Sequence, residues 1–217
     1  VQEMADFVGL GFDLAFKYRT PAMLLADGIV GQMMEKVVLP PQRPRRTERE
    51  VIEQCPWAVT GRPSTRKPNI MTTLELDSYK MEENNRRFQQ TYALIEQNEV
   101  RYEEYFTDDA EYLMVAFGSI ARICLKAIED ARAAGLKVGL IRPITLWPFP
   151  YAPISEMSRK VKGILTVELN AGQMIQDVRL ATEGRVPVWH FGRMGGIVPN
   201  PQEVLDALNA DIASLNK

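Results

Sequence analysis

Residues 108–217 alternate between short apolar segments and amphipathic helical patterns. The apolar segments lie at 111–118, 137–146, 163–170 and 186–193. Each predicts a strand, because it is almost continuously apolar and is bounded by turn residues. Strands that alternate with helices predict a parallel-rich sheet with helices on both faces, an αβα domain of the α/β class.

Four helices are predicted between and after these strands. The first is capped by Ser119 and closes at Gly135, a short second helix follows the prolines of 147–153, and a third, over 171–184, is capped by Asn170. The last begins with a capping signature, Asn200-Pro201 followed by Glu203. Its predicted buried stripe comprises Val204, Leu205, Leu208, Ile212 and Leu215.

The first residues predict a helix that is apolar on most of its surface. Its polar residues fall within a strip about 100° wide, namely Gln2, Glu3, Asp6, Asp13 and Lys17. We expect such a helix to be covered by protein on most sides. One interpretation is that the chain is a fragment whose upstream part packs on this helix, and the alternative is a helix buried in a homodimer. A buried strand over Pro21–Ala26 is predicted next, closed by the Asp27-Gly28 turn.

The middle of the chain predicts a connecting arm and one long helix. Residues 40–68 contain six of the fourteen prolines, which is typical of a linker. This stretch is also basic, so gripping a phosphate or an acidic partner stays open as an alternative. Residues 80–106 predict a long helix with one narrow apolar seam, formed by Met81, Phe88, Tyr92, Ile95, Tyr102 and Phe106.

Composition and charge exclude several functional classes. The 217 residues carry 26 basic and 28 acidic side chains, a net charge of −2, which argues against a polybasic nucleic-acid binder. No apolar run approaches the roughly 20 residues of a membrane helix. The two cysteines, Cys55 and Cys124, are too few for an iron–sulfur ligand set, and two lone thiols favour a cytoplasmic location.

The candidate site residues lie where strands end, because ligands of such sheets bind outside the carboxyl ends of the strands. They are Gly118, Ser119, Arg142, Glu168, Asn170, Gln173 and Arg193. Gly118-Ser119 is either a helix cap or a phosphate-binding turn. Glu168 lies in an apolar strand and needs a partner. Either it pairs with Arg142 or Arg193, or it faces a cofactor or a neighbouring subunit.

Two further features of the last strand are candidates. His190, the only histidine, would have to belong to any Ser–His–Asp triad. The pattern favours a core histidine with its polar atoms satisfied. The following loop contains Gly195-Gly196, which permits close backbone approach and suggests either a subunit contact or a plain turn.

Four motifs in order resemble the alpha subunit of 2-oxoacid:ferredoxin oxidoreductases of the 2-oxoisovalerate or 2-oxoglutarate type. They are DGIVGQMME at 27–35, RPITLWPFP at 142–150, VELNAGQM at 167–174 and GRMGG at 192–196. The resemblance implies a domain plan. Residues 1–60 would end the pyrimidine-binding domain of a thiamine-diphosphate enzyme, 61–107 would be a linker with the long helix, and 108–217 would be a transketolase C-terminal-like domain.

The same resemblance implies the activity and its partners. The family oxidatively decarboxylates a 2-oxoacid, transfers the acyl group to coenzyme A and reduces ferredoxin. The resemblance implies that thiamine diphosphate, magnesium and the iron–sulfur clusters are held by other regions, by the beta subunit and by ferredoxin-like or gamma subunits. We therefore expect no catalytic residue, cofactor or metal in this chain alone, and a role in subunit docking and in lining the active site.

Two rival hypotheses remain at this point. The chain could be a stand-alone interaction module with a transketolase-like fold, or a small nucleotide-binding α/β protein. The absence of a GxGxxG or Walker motif counts against the second rival.

Overall fold

A computed structural model describes residues 1–59 and 67–215. Two compact units are distinguished: the first comprises Val1, residues 23–34 and 93–217, and the second comprises residues 2–22 and 35–92. The predicted domain boundary between residues 60 and 61, and Pro63 of the predicted arm, lie outside the described residues.

The first unit contains a five-stranded sheet in the order β1-β3-β2-β4-β5. Strands β2 to β5 are parallel to one another, and β1 pairs antiparallel with β3, so that Tyr102 is opposite Pro143. The four strands predicted within residues 108–217 are confirmed. The strand bounds are β1 Tyr102–Tyr105, β2 Tyr112–Val115, β3 Val138–Pro143, β4 Ile164–Glu168 and β5 Val188–Gly192.

Helices cover both faces of this sheet, so the predicted αβα architecture is confirmed. Helices α5 (Ser119–Ala133) and α8 (Pro201–Ser214) pack on one face, where the core includes Cys124, Leu140 and Leu208. Helices α6 (Tyr151–Met157) and α7 (Met174–Thr182) pack on the other face. The short α2, Gly28–Gln32, also belongs to this unit. The central strands β2, β3 and β4 are buried on both faces, which explains their continuous apolar pattern, whereas β5 is half-buried and the edge strand β1 is partly exposed.

The second unit contains α1 (Gln2–Tyr18), α3 (Glu48–Gln54) and the first part of α4 (Ser78–Asn98). The Gln2 amide side chain exchanges two hydrogen bonds with the backbone of Val38, at 3.0 and 2.8 Å. Arg43 donates twice to the Asp13 carboxylate, at 2.5 and 2.8 Å. The predicted first helix is confirmed, but none of its residues is buried within the described structure.

Two predicted elements in the amino-terminal half are wrong. Residues 21–26 form no strand and pair with none in the described structure; Met23 and Leu25 remain 81% and 64% exposed. The long helix ends at Asn98 rather than continuing to 106. Beyond it the backbone N–H of Arg101 donates to the Thr145 hydroxyl at 2.9 Å, and the chain enters β1. This contact joins residues far apart in sequence, so helical periodicity could not reveal it.

The predicted start of the last helix is confirmed. Asn200 and Glu203 form a reciprocal capping box at the start of α8. Val204 and Leu208 are fully buried, while Leu205 and Ile212 pack at the margin of the core. Leu215 is 41% exposed and does not belong to the buried stripe, because the helix already ends at Ser214.

Candidate functional site

The strand order reverses between the neighbouring strands β2 and β4, so the connections that leave their carboxyl ends diverge there. Strand β2 leads through α5 to β3 on one side, and β4 leads through α7 to β5 on the other. Open α/β sheets bind ligands at such a divergence, outside the strand ends. Gly118-Ser119 follows β2, and Glu168 ends β4. The sequence therefore brings these predicted residues to the position where ligands bind in this fold class.

Glu168 caps helix α7 through three backbone hydrogen bonds. Its carboxylate accepts the N–H groups of Gln173, Met174 and Ile175 at 3.1, 2.8 and 3.1 Å. The residue is 1% exposed. A carboxylate is stabilised there because the first N–H groups of a helix lack partners within the helix and carry partial positive charge. The predicted ion pair with Arg142 or Arg193 is wrong.

The two arginines instead pair with other carboxylates. Arg142 donates to Glu103 on the neighbouring strand β1 at 2.6 Å. Arg193 donates to Glu203 of α8 at 2.6 Å. The pKa of Glu103 lies below its ordinary value, because hydrogen bonds from Tyr105 and Arg142 outweigh the effect of burial.

Asp27 caps helix α5, as Glu168 caps helix α7. The Ser119 hydroxyl donates to the Asp27 carboxylate, and the backbone N–H of Ser119 also contributes to that carboxylate's stabilisation. The other carboxylate oxygen accepts the N–H of Val30 at 2.8 Å and so caps α2. Burial alone would raise the pKa of Asp27, but these hydrogen bonds together hold it below the ordinary value.

The predicted capping roles of Ser119 and Asn170 are therefore wrong. Ser119 is the first residue of α5, and Gly118, at φ +64°, precedes it as a cap without a side chain. Asn170 accepts the N–H of Gly172 at 2.7 Å within the loop, and α7 starts only at Met174, with the exposed Gln173 immediately before it. In both helices the capping carboxylate comes from elsewhere in the chain.

These two carboxylates determine what the carboxyl edge can bind. Anionic ligands of α/β proteins bind at the amino ends of such helices. Here the amino ends of α5 and α7 are already engaged by Asp27 and Glu168. A phosphate would meet like charge, so the arrangement disfavours the nucleotide-binding hypothesis.

His190 lies beside Glu168 but is not satisfied as predicted. Its Nε2 atom is buried without a hydrogen-bond partner and lies 3.7 Å from a carboxylate oxygen of Glu168. Gly172 and Gly192 surround the ring. A side chain at Gly192 would lie 2.2 Å from the Asn170 carbonyl oxygen and 2.5 Å from His190 Cε1, so only glycine fits at this position.

The loop after β5 is fixed at its base and exposed at its tip. Glu203 joins both ends, since it accepts from Arg193 at 2.6 Å and from the Asn200 backbone at 2.8 Å. Gly195 and Gly196 both have positive φ, +70° and +86°, as the sequence suggested. Exposed apolar side chains flank them, namely Met194, Ile197 and Val198.

Cofactor ligands are scarce among residues 1–59 and 67–215. No group of three or more histidine, cysteine or acidic side chains in this range could hold a metal ion. Both cysteines are free and buried, and burial raises the pKa of Cys124 to about 12. Iron–sulfur clusters are held by sets of about four cysteine thiolates, whereas this range contains two cysteines. These residues therefore do not fit an iron–sulfur cluster or a metal–diphosphate site by themselves.

Asp27 is a residue of this candidate site that the sequence patterns do not reveal. The Asp27-Gly28 pair indicates only a turn, since Asp-Gly is a common turn signal. Its position in the DGIVGQMME motif was the available signal, but nothing local connects it to Ser119, 92 residues away.

Two families match consecutive parts of the sequence. Residues 1–104 match "Pyruvate flavodoxin/ferredoxin oxidoreductase, thiamine diP-bdg", and residues 110–204 match "Pyruvate:ferredoxin oxidoreductase core domain II".

No helix of the described residues is both long and apolar enough to cross a membrane.

Similar proteins include enzyme subunits and one solved oxidoreductase. The ketoisovalerate oxidoreductase subunit VorB of Methanothermobacter thermautotrophicus is 44% identical over 96% of this chain and 57% of its own length. The 2-oxoglutarate synthase subunit KorA of Methanothermobacter marburgensis is 28% identical over 96% of this chain and 61% of its own length. The chain thus spans little more than half the length of these relatives. The 2-oxoglutarate:ferredoxin oxidoreductase of Magnetococcus marinus, solved with 2-oxoglutarate, coenzyme A and succinyl-CoA, shares the fold over 72% of this chain and 30% of its own, with 20% identity and a TM-score of 0.59.

Proposed function

Because the chain belongs to the 2-oxoacid:ferredoxin oxidoreductase family, we propose that it is part of the alpha-type subunit of a thiamine-diphosphate-dependent enzyme of this family. The proposed reaction is the oxidative decarboxylation of a 2-oxoacid to acyl-CoA with reduction of ferredoxin. Thiamine diphosphate supplies the electron sink for the decarboxylation. The observation that carries the proposal is the 44% identity to a ketoisovalerate oxidoreductase subunit along almost the whole chain.

The substrate we favour is a branched-chain 2-oxoacid. Identity is 44% and 42% to two ketoisovalerate oxidoreductase subunits, compared with 27–30% to four 2-oxoglutarate synthase subunits. Each of these identities is measured over 89% or more of the chain.

A steady-state assay of the intact enzyme tests this choice. The enzyme is purified from its source cells and supplied with coenzyme A and a viologen acceptor. We expect the highest kcat/KM with 2-oxoisovalerate, lower values with 2-oxoglutarate and pyruvate, and no reduction without coenzyme A. A preference for 2-oxoglutarate would contradict the substrate class, and inactivity with every 2-oxoacid would contradict the family activity.

Within that enzyme this chain contributes docking and active-site lining rather than catalytic groups. Asp27 and Glu168, the two carboxylates at the divergence of the sheet, are engaged in capping helices. The cofactor, magnesium and the clusters would then be held by other regions, by the beta subunit and by ferredoxin-like or gamma subunits. The unpaired thiols Cys55 and Cys124 support a cytoplasmic location.

The 194–198 loop is the surface we assign to docking. Its base is fixed by Glu203, and its tip exposes Met194 and Ile197 at 58% and 53%. Covering this apolar tip with a partner removes apolar surface from water, which favours association. No charged side chain occurs in residues 194–199.

A charge introduced at this tip tests the assignment. In the tagged full-length subunit, Ile197→Glu should reduce the amount of co-purified partner subunits at least several-fold. Leu180→Glu is the matched control, since Leu180 is also an exposed leucine-sized side chain, at 67%, but lies on α7. Equal retention of partners by wild type and Ile197→Glu would exclude the loop from the interface.

A further inference from the structure

The Gly28–Gln32 turn depends on contacts outside itself. An isolated helix of this length is unstable in water. It is held by the Asp27 carboxylate, which accepts the Val30 N–H at 2.8 Å on one side and contacts Ser119 on the other. Large apolar side chains flank the turn in exposed positions, with Met23 81% and Met34 99% exposed.

The contact with Ser119 lies at the divergence between β2 and β4. Gly118 adopts φ +64° after β2, a conformation that favours glycine, and the chain then enters α5 at Ser119. The Asp27 carboxylate is thereby bonded at the amino end of a fifteen-residue helix. The interaction is favourable because a helix amino end stabilises negative charge. One carboxylate thus joins the turn to the sheet edge where ligands of this fold class bind.

We propose that Asp27 and Ser119 are positioning residues, whose contact holds the Gly28–Gln32 turn at the carboxyl edge in the geometry that the enzyme's reaction requires. Neither residue is assigned to proton transfer or to ligand contact; both act through the turn. The inference rests on the proposed function for its catalytic consequence, whereas the contact itself can be tested without activity.

Hydrogen exchange in the assembled enzyme tests the contact. Ser119→Ala removes the hydroxyl, and Ser119→Thr retains it. Thr107→Val is the matched control, because Thr107 also donates a hydroxyl hydrogen bond to a carboxylate, Glu104 at 2.8 Å, but near the amino end of β3. We expect the Val30 amide to exchange about tenfold faster in Ser119→Ala, since a hydrogen bond to a charged group is lost. Ser119→Thr and Thr107→Val should exchange as wild type does.

Steady-state kinetics on the same preparations tests the consequence. We expect Ser119→Ala to lower kcat/KM for 2-oxoisovalerate about tenfold at unchanged subunit and cofactor content. Ser119→Thr should restore it, and Thr107→Val should not change it. Faster Val30 exchange with wild-type kcat/KM overturns the positioning role, and unchanged Val30 exchange overturns the contact itself. Inactive wild-type enzyme would refute the proposed function, and with it the catalytic part of this inference, while the exchange result still decides the contact.

Discussion

The backbone N–H of Met174 donates to the Glu168 carboxylate at 2.8 Å, so the last residue of a central strand caps the helix that follows it. Both residues are buried. The carboxylate is tolerated in an apolar strand because Gln173 and Ile175 donate to it as well. The partner that this buried carboxylate requires is therefore the amino end of α7.

Removing this carboxylate should destabilise the domain. Glu168→Ala leaves buried N–H groups without partners, and we expect a loss of about 3 kcal/mol in the free energy of unfolding. Urea unfolding of the purified full-length subunit measures it. Glu183→Gln, at the exposed carboxyl end of the same helix, is the control and should cost less than about 0.5 kcal/mol. Equal stabilities of wild type and Glu168→Ala would refute the capping role.

Gly192 should tolerate no side chain. Gly192→Ala would place Cβ 2.2 Å from the Asn170 carbonyl oxygen, so the loop after β4 or the His190 ring must move. We expect a loss of about 2 kcal/mol or more. Gly31→Ala, where a Cβ meets no atom within 4 Å, is the control for thermal unfolding of both variants. Similar midpoints for the two variants would contradict the packing around His190.

The stabilising effect of Asp27 should depend on pH in acid. The folded-state pKa of Asp27 lies below its ordinary value of 3.8, so its contribution is complete above that value and is lost as pH falls through the folded-state pKa. The stability difference between wild type and Asp27→Asn should therefore be largest near neutral pH and shrink below about pH 4. Urea unfolding at several pH values measures this difference. A difference that grows in acid would contradict the hydrogen bonding of the ionised carboxylate.

Cys124 should be chemically inert while the protein is folded. It is fully buried, and burial raises its pKa to about 12, so almost no thiolate exists at pH 8. Iodoacetamide labelling followed by peptide mapping should show Cys124 unmodified in the native subunit and modified after unfolding. Rapid native labelling would show that the helix–sheet interface around α5 opens readily.

Local patterns predict the four parallel strands and the last helix, but not the caps of α5 and α7. Asn200 and Glu203 cap α8 from within four residues, so the sequence revealed them. The caps of the other two helices come from Asp27, distant in the chain, and from Glu168 in the preceding strand. Ser119 and Asn170 carry the correct residue types for a cap, yet a more favourable carboxylate takes that place.

The edge strand β1 was missed for a related reason. Tyr102 and Phe106 continue the helical apolar spacing of α4, so periodicity extended the helix through them. The Arg101–Thr145 hydrogen bond and the pairing of Glu103 with Arg142 instead direct residues 102–105 into the sheet. Such long-range contacts decide the structure of a short segment whose own pattern suits either element.

Membership of an oxidoreductase complex is tested by purifying the native full-length protein from its source cells and identifying every retained polypeptide by mass spectrometry. We expect a partner with a thiamine-diphosphate site and a partner with ferredoxin-type cysteine motifs, in constant ratio to this subunit. Recovery of the native protein alone, with no such partner under conditions that preserve complexes, would contradict its assignment as an oxidoreductase subunit.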